Sequence, residues 1–190
     1  METLDDIKGK EILSSDGRSM GKLINFTVDG DFRIDDVVAK MNKDIIEDLG
    51  EDKPLFSSLK LGISVKHVKS FTDNIVLKTP LNKLHLHFED VTDKNLASSI
   101  IGMEISGSQG NYVGKVEDIL VDTESLGRLS MLVKVNKDIL ETLDLEKPLL
   151  SKTRLGISMK HVTSVGDKIM LDTSIEGMGE IILKEPIKKM

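Results

Sequence analysis

The 190-residue chain has no cysteine and no tryptophan, one tyrosine and five phenylalanines. Without cysteine there is no disulfide, no thiolate nucleophile and no Cys-based zinc or iron–sulfur centre. Aromatics make up only 3% of the residues and no Lys/Arg cluster accompanies them. Neither a base-stacking platform nor a phosphate-tracking groove is therefore indicated, and direct nucleic-acid binding is disfavoured. No uninterrupted run of about 18 apolar residues occurs, so no segment reads as a membrane span. The opening METLDDIKGKEIL is acidic early and is not expected to be a secretory signal. There is no GxGxxG after a strand and no GKS/T loop, which disfavours a nucleotide site. The net charge of −6 is shared, with about −4 in residues 1–90 and about −2 in 91–190, so neither half is a basic module. The short tail Lys184 to Lys189 contains Glu185 and Pro186 and reads as a solvated terminus.

What is present is a repeat. LGISVKHVKSFTDNIVL, Leu61 to Leu77, returns as LGISMKHVTSVGDKIML, Leu155 to Leu171. Asn42-Lys43-Asp44-Ile45 is matched by Asn136-Lys137-Asp138-Ile139, and Lys53-Pro54-Leu55 by Lys147-Pro148-Leu149. Upstream, Gly9, Ile12, Gly17, Gly21, Lys22 and Val28 match Gly102, Ile105, Gly110, Gly114, Lys115 and Val121, with one inserted residue between Thr123 and Gly127. Internal duplication implies two units, residues 1–90 and 91–190, expected to superpose strand for strand.

Both halves read alike. Short strands at Glu11–Leu13 and Glu104–Ser106 precede Gly-containing turns, then strands Gly21–Val28 and Gly114–Val121. Further turns lead to Arg33–Met41 and Arg128–Val135. Asn42 and Asn136 are candidate N-caps of a short helix carrying the stripes Ile45/Ile46/Leu49 and Ile139/Leu140/Leu143. After a Lys-Pro loop, strands return at Leu61–Val65, Ser70–Phe71, Asn74–Lys78 and Leu84–Phe88, with counterparts at Leu155–Met159, Ser164–Val165, Lys168–Asp172 and Glu180–Leu183. Many short strands punctuated by Gly and Asp predict a mostly β protein of two small barrels, each with one short inserted helix.

YVGKVEDILVDTESLGRLSMLVKV, Tyr112 to Val135, resembles the opening half of a PRC-barrel domain: a Gly-Lys-Val strand, an Asp-containing turn ending in Gly-Arg, then an apolar strand. ISMKHVTSVGDKIML, Ile157 to Leu171, is similar to that family's closing half, and the first copy matches more loosely, with Thr72 in place of Gly166. The resemblance implies tandem PRC-like barrels and a non-enzymatic adaptor that docks onto other proteins, without cofactor. The family includes a domain of the photosynthetic reaction-centre H subunit, half of the ribosome maturation factor RimM, and stand-alone archaeal proteins. Similarity to the last group implies archaeal cell division, linking a SepF-type membrane anchor to the tubulin-like division ring. The location implied is cytoplasmic, with recruitment to the division site through a partner and room for a homodimer. A RimM-like ribosome-assembly factor binding a ribosomal protein is the competing reading, and a small metal-binding protein is a third.

His85 and His87 are the metal candidates, two imidazoles on one face of a strand, although the second copy lacks them and a solvated strand face accounts for both. His67 and His161 sit at matched positions and read as turn residues. Asp16, Asp29, Asp31, Asp73, Asp122 and Asp167 fall in turns, where a carboxylate bonds nearby amides, so no catalytic set is assigned. Strands apolar on both faces need a cover. Because the second copy is bulkier at Met131, Leu132 and Val133 and carries Met178, these four are the expected partner surface.

Overall fold

The computed structural model describes residues 1–48, 60–83, 88–91, 95–143 and 154–183. In chain order its elements are β1 (Glu2–Thr3), α1 (Leu4–Ile7), β2 (Glu11–Leu13), β3 (Ser19–Val28), β4 (Ile34–Met41), α2 (Lys43–Asp48), β5 (Lys60–Ser64), β6 (Val68–Phe71), β7 (Ile75–Leu77) and β8 (Phe88–Glu89). There follow β9 (Glu104–Ser106), β10 (Tyr112–Val121), β11 (Ser130–Val135), α3 (Lys137–Thr142), β12 (Arg154–Ser158), β13 (Val162–Val165), β14 (Ile169–Leu171) and α4 (Met178–Ile181). The fold is mostly β, with helices of one or two turns.

Two seven-stranded sheets result. One runs β6-β7-β2-β3-β4-β5-β8; the other runs β13-β14-β9-β10-β11-β12, with β1 added to β10. Strands matched in sequence hold the same place in their sheet. Pairing is antiparallel except where β2 meets β7 and β9 meets β14, which are parallel. Two compact units are formed, a first of Asp6–Ala97 with Thr123–Gly127 and a second of Met1–Asp5, Ser98–Asp122 and Arg128–Met190.

In the first unit the turn before β3 is set by side-chain chemistry. Ser14 Oγ donates to Asp16 at 2.5 Å, Gly17 adopts φ +82°, and its amide closes on the Ser14 carbonyl at 3.0 Å. Beyond it β3 and β4 approach so closely that a Cβ on Gly21 would lie 2.3 Å from the Lys40 carbonyl oxygen, and one on Gly114 would lie 2.3 Å from that of Lys134. Ile12, Leu23, Phe26, Ile63, Ile75 and Leu77 are wholly buried, and Ile45 of α2 joins them. Each such side chain contributes about 1.5–3 kcal/mol through burial. The side-chain nitrogen of Asn42 donates to the Ser19 carbonyl at 3.3 Å and hydroxyl at 3.1 Å, tying the start of α2 to β3.

One polar pair sits in this core. Thr27 donates its hydroxyl to Asp36 at 2.6 Å and accepts the Asp36 amide at 3.0 Å, both residues being about 1% exposed. The matched positions of the second unit hold Leu120 and Ser130, so the pair belongs to one unit only.

The second unit repeats the meander with Ile105, Val113, Ile119, Met131, Val133, Ile157 and Ile169 inside. Its sheet also receives β1, with Glu2 opposite Val121 and Thr3 opposite Leu120. In the first unit the matched end of β3 is met instead by Leu96, which bridges Thr27, while the Val28 amide donates to the Asn95 carbonyl at 2.9 Å. Thus the second unit's sheet gains β1 and the end of the first unit's β3 gains the bridge at Leu96. Neither segment was expected from the sequence.

Glu180–Leu183 is not the strand expected. Met178 and Ile181, three apart, face inward from the single turn of α4, and only Ile182 bridges to Ile157. The stripe positions Ile139 and Leu140 are buried as expected; Leu49 lies outside the described residues, as do Lys53, Pro54, Lys147 and Pro148.

Candidate interaction surface

Met131, Leu132, Val133 and Met178, expected as a partner surface, are 0–5% exposed. Met131, Leu132 and Val133 lie in β11 between β10 and β12, and Met178 faces inward from α4. These side chains serve the core, because a bulkier strand fills its own interior before it adds to an outer face. Among the described residues the large apolar side chains left open are Ile101, Tyr112 and Val165, each about 40% exposed. His85 and His87 lie outside the described residues.

The matched histidines differ in setting. The His161 ring nitrogen Nδ1 lies 3.3 Å from Asp172 Oδ2. Hydrogen bonds from the Thr173 hydroxyl and then from His161 hold the Asp172 carboxyl below its ordinary range. At the position matched to Asp172 the first unit carries Lys78, whose ammonium donates to the Lys66 carbonyl at 2.6 Å. A largely buried imidazole on a half-exposed carboxylate, which the Thr173 hydroxyl also bonds at 2.6 Å, holds the start of β13 to the chain just after β14.

A shallow groove of the first unit is lined by Asp16, Arg18, Asp48, Pro80, Leu81, Asn82 and Lys83. Arg18 pairs with Asp48 at 2.8 Å, half exposed. Asp16 accepts from Ser14 and from the Leu81 amide at 3.3 Å, and the Ser14 hydroxyl draws its carboxyl below the usual range. These groups are engaged with each other, which is the chemistry of a held turn. The second unit has a shallower hollow lined by Tyr112, Lys115, Lys134, Val135 and Asn136. Among the described residues no group of three or more His, Asp or Glu side chains could hold a metal.

At the end of its sheet β13 presents Thr163, Ser164 and Val165 to solvent, whereas Val68 and Phe71 of the matched β6 are buried. Phe71 stacks at a tilt on Phe26, centroids 6.3 Å apart, under the Lys10 ammonium at 5.5 Å. The strand order, the turn at Gly110, the close-packed Gly114 inside β10 and the parallel pairing of β9 with β14 describe a small sheet with β13 and β12 at its ends.

A PRC-barrel domain spans residues 93–177. No curated protein matches the chain. The PRC-barrel domain takes in the whole β9–β14 sheet and stops at Gly177, just ahead of α4. Among the described residues no helix is long and apolar enough to cross a membrane.

Proposed function

We propose that the protein is a non-enzymatic adaptor made of two tandem PRC-like barrels, acting in archaeal cell division between a SepF-type membrane anchor and the division ring. The observation that carries this reading is the pairing of a PRC-barrel domain at residues 93–177 with a second sheet of the same strand order. Two like scaffolds in one chain, with different open side chains, suit a linker that holds two partners. The open apolar residues and the exposed β13 edge offer contact surfaces of the kind used by strand addition and aromatic anchoring.

The test is affinity capture of the tagged full chain from its source cells, with identification of bound proteins by mass spectrometry. Enrichment of an anchor or ring protein of the division machinery is the expected result. Recovery of ribosomal proteins in its place would favour ribosome assembly and overturn the division assignment.

A further inference from the structure

Strand register creates a feature that the linear sequence hides. In the first sheet Glu11 lies opposite Lys22, Lys22 opposite Lys40, and Lys40 opposite Lys60. Directly opposed residues of neighbouring strands project to the same face, and strands lie about 4.8 Å apart. Three exposed lysines therefore form a row about 10 Å long across β3, β4 and β5. Among the described residues none of the three has an ion-pair partner, and Glu11 takes the Ser19 hydroxyl.

Like charges placed directly opposite each other weaken a sheet. The second sheet carries the same row as Glu104, Lys115, Lys134 and Arg154, but relieves it. Lys115 meets Glu104 at 3.5 Å, and Arg154 is held by both oxygens of Glu117 at 2.6 Å. Ile24 occupies the position of Glu117 in the first unit, so the carboxylate that holds Arg154 has no counterpart at that position. The chain is acidic overall, and an open cationic row is not a by-product of its composition.

We propose that the Lys22–Lys40–Lys60 row is a docking surface for an acidic segment of a partner protein. The row matches such an occupant because carboxylates along an extended chain recur on one side about every 7 Å, near enough for two or three to meet ammonium groups spaced across the sheet. The idea deepens the adaptor reading and rests on it, giving one of the partners a charge and a place. Attraction of this kind acts mostly on association rate and is screened by salt.

The test measures binding of a fluorescein-labelled oligoglutamate peptide to the full chain by anisotropy at low and at physiological salt. Wild type should bind, more weakly as salt rises. The Lys22→Gln/Lys40→Gln/Lys60→Gln variant should lose about tenfold or more, with a melting temperature equal to or above wild type, because repulsion is removed. Lys115→Gln/Lys134→Gln should bind as wild type. Equal binding by the first-sheet variant would overturn the proposal, as would binding through these lysines to phosphatidylserine vesicles or polyuridine RNA in place of the peptide. Captured partners lost on the first-sheet variant support the row; partners retained by it sink the row but leave the adaptor reading intact. Should wild type capture no partner, the adaptor reading itself fails.

Discussion

The carboxylate of Asp118 accepts the backbone amide of Asp5 at 3.3 Å, across 113 residues of sequence. The same side chain accepts the Ile119 amide at 2.7 Å, and it sits beside the bulge in β10 where the register shifts between Val116 and Asp118. It thereby fastens the segment that follows β1. Asn25 fills the matched bulge of β3 and accepts the Phe26 amide in the same way, at 2.9 Å.

Burial raises the Asp118 pKa, with the neighbouring Asp5 charge adding to it, while hydrogen bonds from the Ile119 and Asp5 amides and from Thr3 oppose the rise. A carboxyl whose folded pKa exceeds its unfolded one favours the fold when protonated. That contribution is full below the unfolded pKa and is lost as pH rises through the folded one. Asp118→Asn keeps the acceptor without the charge. Denaturant melts should show the variant more stable than wild type at pH 7, with the advantage gone in acid. A variant less stable at pH 7 would contradict this account.

Deleting Glu2–Asp5 should loosen the second unit and spare the first. Amide exchange at the Leu120–Val121 end of β10 should quicken, while Val28, bonded to Asn95, stays protected. Equal protection at Leu120–Val121 with and without the segment would refute the pairing.

The Thr27–Asp36 pair should behave as a unit. Thr27→Val removes the hydroxyl from a buried carboxylate and should cost about 2–4 kcal/mol. The double change Thr27→Leu/Asp36→Ser installs the residues used by the second unit at Leu120 and Ser130, and should cost less than the sum of its parts. Additive losses in a double-mutant cycle would show that the two residues do not depend on each other.

Gly21→Ala and Gly114→Ala should each lose about 2–4 kcal/mol in urea melts, because the added carbon meets a main-chain oxygen that cannot withdraw. Gly30, with nothing within 4 Å of a built Cβ, is the control, and Gly30→Ala should stay within about 0.5 kcal/mol.

The meander was legible because its signals are local. Gly17 and Gly110 mark turns, alternation marks β3 and β10, and Asn42 and Asn136 precede helices. Other features needed distances that a linear sequence does not carry. Glu2–Thr3 and Asn95–Leu96 are too short to show a period, so their places in a sheet could not be read. Ile181-Ile182-Leu183 looks like a strand until Met178 and Ile181 are seen to share one turn. The lysine row exists only once the register of three strands is known. The sequence also says which strands are bulky but not which faces are covered, which is why Met131 to Val133 and Met178 were expected outside.

The path of β1 has a temporal side. At about 5–20 residues per second of synthesis, Thr3 waits roughly 6 to 23 seconds before Leu120 exists to receive it. During that interval Leu4, 2% exposed in the finished fold, lacks the β10 strand that its segment joins. The first meander meets a shorter delay, since Leu96 follows its partner Thr27 by 69 residues. Nascent chains halted between β8 and β10 should therefore leave the segment around Leu4 open to proteases while the β2–β7 sheet is already protected, and the strand made earlier is the later one to settle.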